Sequence, residues 1–237
     1  MNPPDVAAFF DVDGTLVTGT TIFRFLEYRL AADGFPPSVF REARQRLKAM
    51  TAAGVPRSVT NRAYFENYAD LTETAVAEAA EEWFRAELRQ GGFFNPSALD
   101  AFRRHTAAGD LTVLVSGSFP ACLAPLARYL EADLTLCSEP EILDGRYTGR
   151  IGLPMIGEGK AAAVRRVVEE YAVSTERSWA YGDHVSDLPL LELVGFPVVV
   201  GDADLALTGR AARQGWGRLP GGAEPAPVLP SPVPAGS

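Results

Sequence analysis

The sequence predicts an α/β fold, a doubly wound parallel sheet with an all-helical segment inserted after its first strand. Short apolar runs typical of strands buried on both faces occur at 6–10, 111–115, 134–137, 179–181 and 197–200. Helical patterns lie between most of these runs, and that alternation is typical of a parallel sheet with helices on both faces. Between residues 20 and 90 only helical patterns occur, so this segment is predicted to be a helical insertion.

The first predicted strand ends in the segment Asp11-Val-Asp13-Gly-Thr. Open α/β sheets bind ligands at the carboxyl edge, so both carboxylates are expected at a binding site. One carboxylate can attack a phosphorus atom while the other carries a proton to the leaving group. Two negative charges would repel an anionic substrate unless a divalent cation intervened, and carboxylate oxygens favour Mg²⁺.

Two other interpretations of this segment compete with a phosphate-transfer site. An acidic turn after a core strand explains an Asp-x-Asp pair, taken alone, about equally well. A calcium loop of the EF-hand type requires a carboxylate at its twelfth position, where this sequence has Ile22, and is excluded.

Glycines and prolines divide the inserted segment into predicted helices. The breaks fall near Gly34, Gly54 and Gly91, and Thr72 is the predicted N-cap of the last helix. The helices are expected at 22–30, 38–50, 58–68 and 72–90.

From residue 95 the strand–helix alternation resumes. Helices are predicted at 97–108, 120–130, 158–171 and 188–194, and a hairpin at 142–151 that turns at Asp144-Gly145. The predicted domains are a Rossmann-like catalytic core (1–19 and 93–215), a helical domain (20–92) and a Pro-rich disordered tail (216–237). Residues 220–237 contain six prolines and almost no charge, which is too little apolar surface to form a core.

Composition limits the classes of partner. A net charge of −8 disfavours non-specific binding to nucleic acid or to anionic membranes. A small phosphorylated metabolite remains compatible, because a metal ion and one lysine can reverse the local sign. Cys122 and Cys137 lack metal-type spacing and are expected to be small core residues. With no signal peptide and no membrane-spanning run, a cytoplasmic location is expected; the oligomeric state is left open.

Three further polar clusters follow strands or open helices. Ser116 and Gly117 follow the second strand and could hold phosphate oxygens, although such a turn alone is usually only a turn. Lys160 opens a helix and could neutralise a nucleophile and a phosphate together, although alone it fits a surface lysine better. Asp183 and Asp187 lie four residues apart, so they share a face if that turn is helical.

In this order along the chain, the clusters resemble the haloacid dehalogenase superfamily, and most closely its phosphoserine-phosphatase-like branch. That branch carries a helical cap just after the first motif. The matching segments are Asp11-Val-Asp13-Gly-Thr15, Ser116, Lys160, Gly182-Asp183 with Asp187, and Leu143-Asp-Gly-Arg-Tyr-Thr-Gly149.

The resemblance implies a role for each matched residue. Asp11 would be the nucleophile that forms an aspartyl-phosphate, and Asp13 the general acid and base. Mg²⁺ would be held by Asp11, by Asp183 and by the main-chain carbonyl of Asp13, with Asp187 supporting the metal's waters or Lys160. Ser116, Gly117 and Lys160 would bind the phosphate.

One position departs from the phosphoserine phosphatases, which place a glutamate near the start of the cap to meet the substrate's ammonium group. Thr20 stands at the corresponding position here, so phosphoserine is disfavoured as a substrate. The cap residues Arg24, Arg57 and Arg62 are candidates for contacts to a second anionic group, and His184 for a contact to the leaving group.

The sequence therefore predicts a Mg²⁺-dependent phosphatase acting on a small phosphomonoester. The alternatives within this class are a phosphoserine phosphatase proper and a phosphotransferase. A receiver-like, non-catalytic phospho-acceptor is an alternative from another class, although Asp13 and the helical insertion count against it.

Overall fold

The computed structural model describes residues 4–230. Within this range the strands are β1 (Ala7–Asp11), β2 (Leu111–Ser116), β3 (Leu134–Cys137), β4 (Pro140–Leu143), β5 (Arg146–Ile151), β6 (Trp179–Gly182), β7 (Phe196–Val200) and β8 (Gly217–Leu219). The central sheet is parallel throughout, in the order β3–β2–β1–β6–β7–β8, and β4 and β5 form a separate antiparallel hairpin. The chain thus builds outward from β1 on both sides. The carboxyl ends of β1, β2 and β6 meet where the strand order reverses, which is where such sheets bind ligands.

Strand β1 is buried along its whole length, and its side chains alternate between two hydrophobic cores. Ala8 and Phe10 pack into the core shared with the inserted helices. Ala7 and Phe9 pack into the core on the opposite face of the sheet. This two-residue period is what a strand covered on both faces requires. It fixes the direction in which Asp11 leaves the sheet.

The inserted segment, residues 20–92, is called the cap below. The helices of the described chain are α1 (Thr21–Ala32), α2 (Pro37–Ala52), α3 (Arg57–Phe65), α4 (Glu73–Gln90), α5 (Pro96–Ala108), α6 (Pro120–Leu130), α7 (Glu158–Tyr171), α8 (Leu188–Leu191) and α9 (Leu205–Gln214). The predicted fold class, an α/β sheet with an all-helical insertion after β1, is therefore confirmed. Thr72 caps α4 as predicted, because its side chain accepts a hydrogen bond from the amide of Ala75.

The β4–β5 hairpin turns at Asp144 and Gly145, which both have positive φ angles, as the sequence predicted. Although the hairpin follows β3 in the chain, it is hydrogen-bonded to the cap. The amide of Asp70 donates to the carbonyl of Tyr147, and the amide of Glu73 donates to the carbonyl of Gly145.

The C-terminal part of the described chain differs from the sequence prediction. Helix α9 and strand β8 were not predicted, and the helix expected at 188–194 ends at Leu191. Strand β8 pairs with β7 inside the predicted disordered tail. Residues 220–230 continue along the fold, since Asn95 donates to the carbonyl of Pro220 and Gln90 to the carbonyl of Ala226. Side-chain amides thus hold main-chain carbonyls of this segment, which an apolar-pattern analysis does not detect, and Val228 packs into the core shared with the cap. Residues 231–237 of the predicted tail lie outside the described residues.

Among residues 4–230, every helix is too short or too polar to cross a lipid bilayer.

Candidate active site

The carboxyl edge of the sheet brings together residues that are far apart in the chain. Asp11 ends β1, Ser116 ends β2, and Asp183 follows β6 directly. Lys160 reaches the same place from the first turn of α7. The structure thus gathers the strand-end residues that the sequence analysis singled out.

Lys160 connects two buried carboxylates. Its Nζ lies 2.5 Å from Asp11 Oδ1 and 2.7 Å from Asp187 Oδ1, and all three side chains are almost inaccessible to solvent. Burial alone lowers the pKa of Lys160, but the carboxylates of Asp11 and Asp187 raise it above its usual value. The ammonium form is therefore favoured, and it holds one oxygen of Asp11 in a fixed position.

Asp13 is oriented by a different set of donors. Its Oδ1 accepts a hydrogen bond of 2.6 Å from the amide of Thr21, and its Oδ2 accepts one of 3.4 Å from Ser116 Oγ. Burial raises the pKa of Asp13, and the hydrogen bonds from Thr21 oppose that rise. A carboxyl group with a raised pKa is suited to carry a proton.

Asp11, Asp183 and Asp187 form a carboxylate cluster in which one oxygen of each residue lies within 4.8 Å of the other two. Thr15 donates a 3.2 Å hydrogen bond to Asp183 Oδ1, and the pKa of Asp183 is raised to about 6 by burial and by the charge of Asp187. Three carboxylates facing a single ammonium leave an excess of negative charge. The donor set consists of hard oxygens, so it fits Mg²⁺.

Gly14 permits this close approach. Its φ angle is +84°, and a Cβ atom there would lie 2.3 Å from Asp183 Oδ2. Any other residue would therefore displace the Asp183 carboxylate or the loop that follows β1.

A cavity of about 550 Å³ lies above these groups, between the core and the cap. Thr20 and His184, both predicted as substrate contacts, line it. The His184 ring accepts a hydrogen bond from the amide of Ser186, and its pKa is lowered by burial and by the nearby Arg57.

The structure removes two of the predicted substrate contacts. Arg24 is buried in the cap and pairs with Glu87, so it does not line the cavity. Arg62 donates to the carbonyl of Gly152 on the outside of the protein and also lies away from the cavity. Neither residue is among those that line the cavity.

One face of α3 supplies cavity residues that the sequence analysis did not single out, apart from Arg57. The face consists of Arg57, Thr60, Asn61 and Tyr64. Their spacing of three and four residues is the signal that could have identified them. Two of them also contact the core: Arg57 Nη1 lies 3.4 Å from Ser186 Oγ, and Asn61 Nδ2 donates a 2.9 Å hydrogen bond to the carbonyl of Gly117.

Comparison with known proteins places these features in a family context. A model of the family described as haloacid dehalogenase-like hydrolase matches residues 8–192. A probable phosphatase of Mycobacterium tuberculosis is 36% identical over 119 residues, which are 50% of this chain and 41% of that protein. The phosphoserine phosphatase SerB2 of the same organism is 33% identical over 190 residues, which are 80% of this chain and 42% of that protein. The chain thus spans about two fifths of the length of these curated relatives.

Solved structures show the same architecture. A protein of unknown function from Bordetella pertussis superposes with a TM-score of 0.81 at 28% identity, covering 91% of this chain and 98% of that one. A substrate-bound phosphoserine phosphatase superposes with a TM-score of 0.65 at 18% identity, covering 87% of this chain and 90% of that one. At that identity the second likeness concerns the fold alone.

Proposed function

This chain belongs to the haloacid dehalogenase-like hydrolase family, and we propose that it is a Mg²⁺-dependent phosphatase acting on a small phosphomonoester through an aspartyl-phosphate. One observation carries the proposal. Two carboxylates that lie two residues apart in the chain are held differently, Asp11 by the ammonium of Lys160 and Asp13 by the neutral donors Thr21 and Ser116. Burial raises the pKa of both carboxyl groups, so their partners and not their pKa values distinguish them. A carboxylate that is ion-paired with an ammonium suits a nucleophile, and a carboxyl group held by neutral donors suits a general acid.

In the first step, a carboxylate oxygen of Asp11 attacks phosphorus and the bond from phosphorus to the leaving oxygen breaks. The proton of Asp13 passes to that oxygen, so the product leaves as an alcohol. In the second step, Asp13 takes a proton from water, whose oxygen attacks phosphorus. The bond to Asp11 then breaks and inorganic phosphate is released.

The remaining residues position charge during these steps. Lys160 holds Asp11, while Ser116 and Gly117 would supply a hydroxyl and a main-chain amide to the phosphoryl oxygens. Mg²⁺ bound by Asp11, by Asp183 and by the Asp13 carbonyl would supply positive charge opposite those oxygens. Asp187 would act through Lys160, to which it is hydrogen-bonded.

The cavity favours a small substrate without an ammonium group. Its volume of about 550 Å³ suits a metabolite, and the cap covers it. Among the described residues, the acids that line it are Asp11, Asp13, Asp183 and Asp187, all at the reaction centre. Thr20 cannot pair with an ammonium, whereas Lys48 and Arg57 line the cavity and can pair with a second anionic group.

The test is phosphate release from a panel of small phosphomonoesters, with Mg²⁺ and with EDTA, by the native protein and by Asp11→Asn. The proposal expects metal-dependent release that the substitution abolishes. Loss of ester with phosphorylation of an added alcohol would instead indicate a phosphotransferase. A long-lived aspartyl-phosphate without release would indicate a receiver-like acceptor, and preference for phosphoserine would contradict the substrate class.

A further inference from the structure

The main-chain carbonyl of Gly117 accepts one hydrogen bond from the cap and one from the core. Asn61 Nδ2, on α3 of the cap, lies 2.9 Å from this oxygen. Ser138 Oγ, on the loop between β3 and β4 in the core, lies 3.1 Å from it. Asn61 and Ser138 are both buried, so water does not compete strongly for the acceptor.

The Gly117 carbonyl controls the direction of a neighbouring donor. It belongs to the same planar peptide unit as the amide of Ser118, so fixing the carbonyl also fixes the direction of that N–H bond. The Ser118 amide donates a 3.0 Å hydrogen bond to Ser116 Oγ. Because Ser116 Oγ accepts the hydrogen bond from Ser118, its own proton points away from that amide. The hydroxyl donates it to Asp13 Oδ2, which lies 3.4 Å away.

The two donors to the Gly117 carbonyl, Ser138 and Asn61, belong to different structural units. Ser138 is fixed within the core, because its amide donates to the Ser118 carbonyl and its Oγ accepts from the amide of Met155. Asn61 reaches Gly117 only while α3 lies over the site. The hydrogen bond from Asn61 therefore depends on the position of the cap.

We propose that Asn61 is a positioning residue that couples cap closure to residues 116–118, the loop expected to bind the phosphate. It acts through the Gly117–Ser118 peptide plane, which orients Ser116 toward the phosphoryl group and Asp13. The inference rests on the proposed function, since it assigns Asn61 a part in that reaction. A cap that closed without this contact would cover the substrate but leave the loop less well ordered.

The test compares Asn61→Ala with Asn61→Leu, which keeps a similar shape but has no donor. The matched control is Asn67→Ala, because Asn67 lies in the same cap and is not among the residues that line the cavity; its side chain donates to the main-chain carbonyl of Tyr64. Turnover is measured with p-nitrophenyl phosphate, and binding of inorganic phosphate with MgCl₂ is measured by calorimetry. Loss of one hydrogen bond is expected to lower kcat and to weaken phosphate binding by about tenfold each in both Asn61 variants. Asn67→Ala should change neither by more than about twofold.

The outcomes separate this inference from the proposed function. Retention of native kcat and phosphate binding by Asn61→Leu would overturn the inference, because it would show that Asn61 only fills space. If Asn61→Ala does not fold, Asn61→Leu decides the question, and native kcat and phosphate binding in that variant again overturn the inference. If the native protein hydrolyses no ester but the Asn61 variants still bind phosphate more weakly, the proposed function fails and the coupling stands.

Discussion

Arg24 and Glu87 form a buried, two-pronged ion pair that joins α1 to α4 inside the cap. Arg24 Nε lies 2.8 Å from Glu87 Oε1, and Nη2 lies 2.5 Å from Oε2. Trp83 Nε1 donates a further 2.9 Å hydrogen bond to Glu87 Oε1. The arginine that the sequence placed among possible substrate contacts thus has a structural role.

We expect Arg24→Met to lower the free energy of unfolding by about 3–5 kcal/mol, because it leaves the Glu87 carboxylate buried without its cation. The control is Arg46→Met, since Arg46 pairs with Glu66 at the surface. That change should cost less than about 1 kcal/mol. Urea unfolding followed by circular dichroism measures both, and equal effects would contradict the prediction.

Asp13→Asn should separate the two chemical steps. In the variant, Asp11 can still attack the phosphorus of an ester whose leaving group needs no proton, such as p-nitrophenolate. The asparagine cannot take a proton from water, so the aspartyl-phosphate is not hydrolysed. We expect steady-state turnover to fall by about 10²–10⁴-fold and a burst of p-nitrophenolate to appear. Rapid mixing measures the burst, and its stoichiometry should approach one per active site. Native turnover by the variant would remove Asp13 from the mechanism.

Arg57→Ala should affect substrate binding selectively. Arg57 is exposed and lines the cavity mouth, so its loss should raise KM roughly tenfold for esters that carry a second anionic group. The KM for p-nitrophenyl phosphate should stay within about twofold. Arg41→Ala, an exposed arginine of α2 outside the cavity, is the control. A uniform increase for all esters would assign Arg57 to binding of the phosphate itself.

Gly14→Ala should weaken metal binding. Gly14 and Gly34 have nearly the same positive φ, +84° and +81°, so alanine is strained equally at both. A Cβ at Gly14 would collide with Asp183, whereas a Cβ at Gly34 has no neighbour within 4 Å. Gly34→Ala should lose roughly 1 kcal/mol of stability and Gly14→Ala more, and Gly14→Ala alone should raise the Mg²⁺ concentration for half-maximal activity, by about 10–100-fold. Equal Mg²⁺ requirements in the two variants would argue against Asp183 as a ligand.

The strand-end residues could be found from the sequence because each lies beside a local landmark. Asp11, Ser116 and Asp183 directly follow buried apolar runs, and Lys160 follows a helix start. In a parallel sheet such positions converge at one edge whatever the intervening chain does. Knowledge of the side chains' contacts was not needed for this step.

The cap residues could not be assigned in the same way. Arg24 and Arg57 are chemically identical, yet one is buried against Glu87 and the other lines the cavity. Helical spacing groups residues 57, 60, 61 and 64 on one face, but only packing decides which face meets the core.

Strand β8 could not be predicted from the sequence for a different reason. It pairs through its main chain with Val198–Val200, and the residues Gly217–Leu219 carry no apolar alternation.

The β4–β5 hairpin shows that the segments that would move together are not those that are adjacent in the chain. Tyr147 exchanges main-chain hydrogen bonds with Asp70 and Leu71, so residues 140–151 are fastened to the cap although they lie in sequence between core elements. A rigid rotation of the cap would carry the hairpin with it. Bending would then be concentrated at residues 139–140 and 151–154, between the hairpin and the core-bound pair Ser138 and Met155, as well as at the two connections of the cap. The segment 151–154 continues through Met155 to Lys160. A rotation of the cap and hairpin would therefore act on the segment that positions the Lys160 ammonium on Asp11.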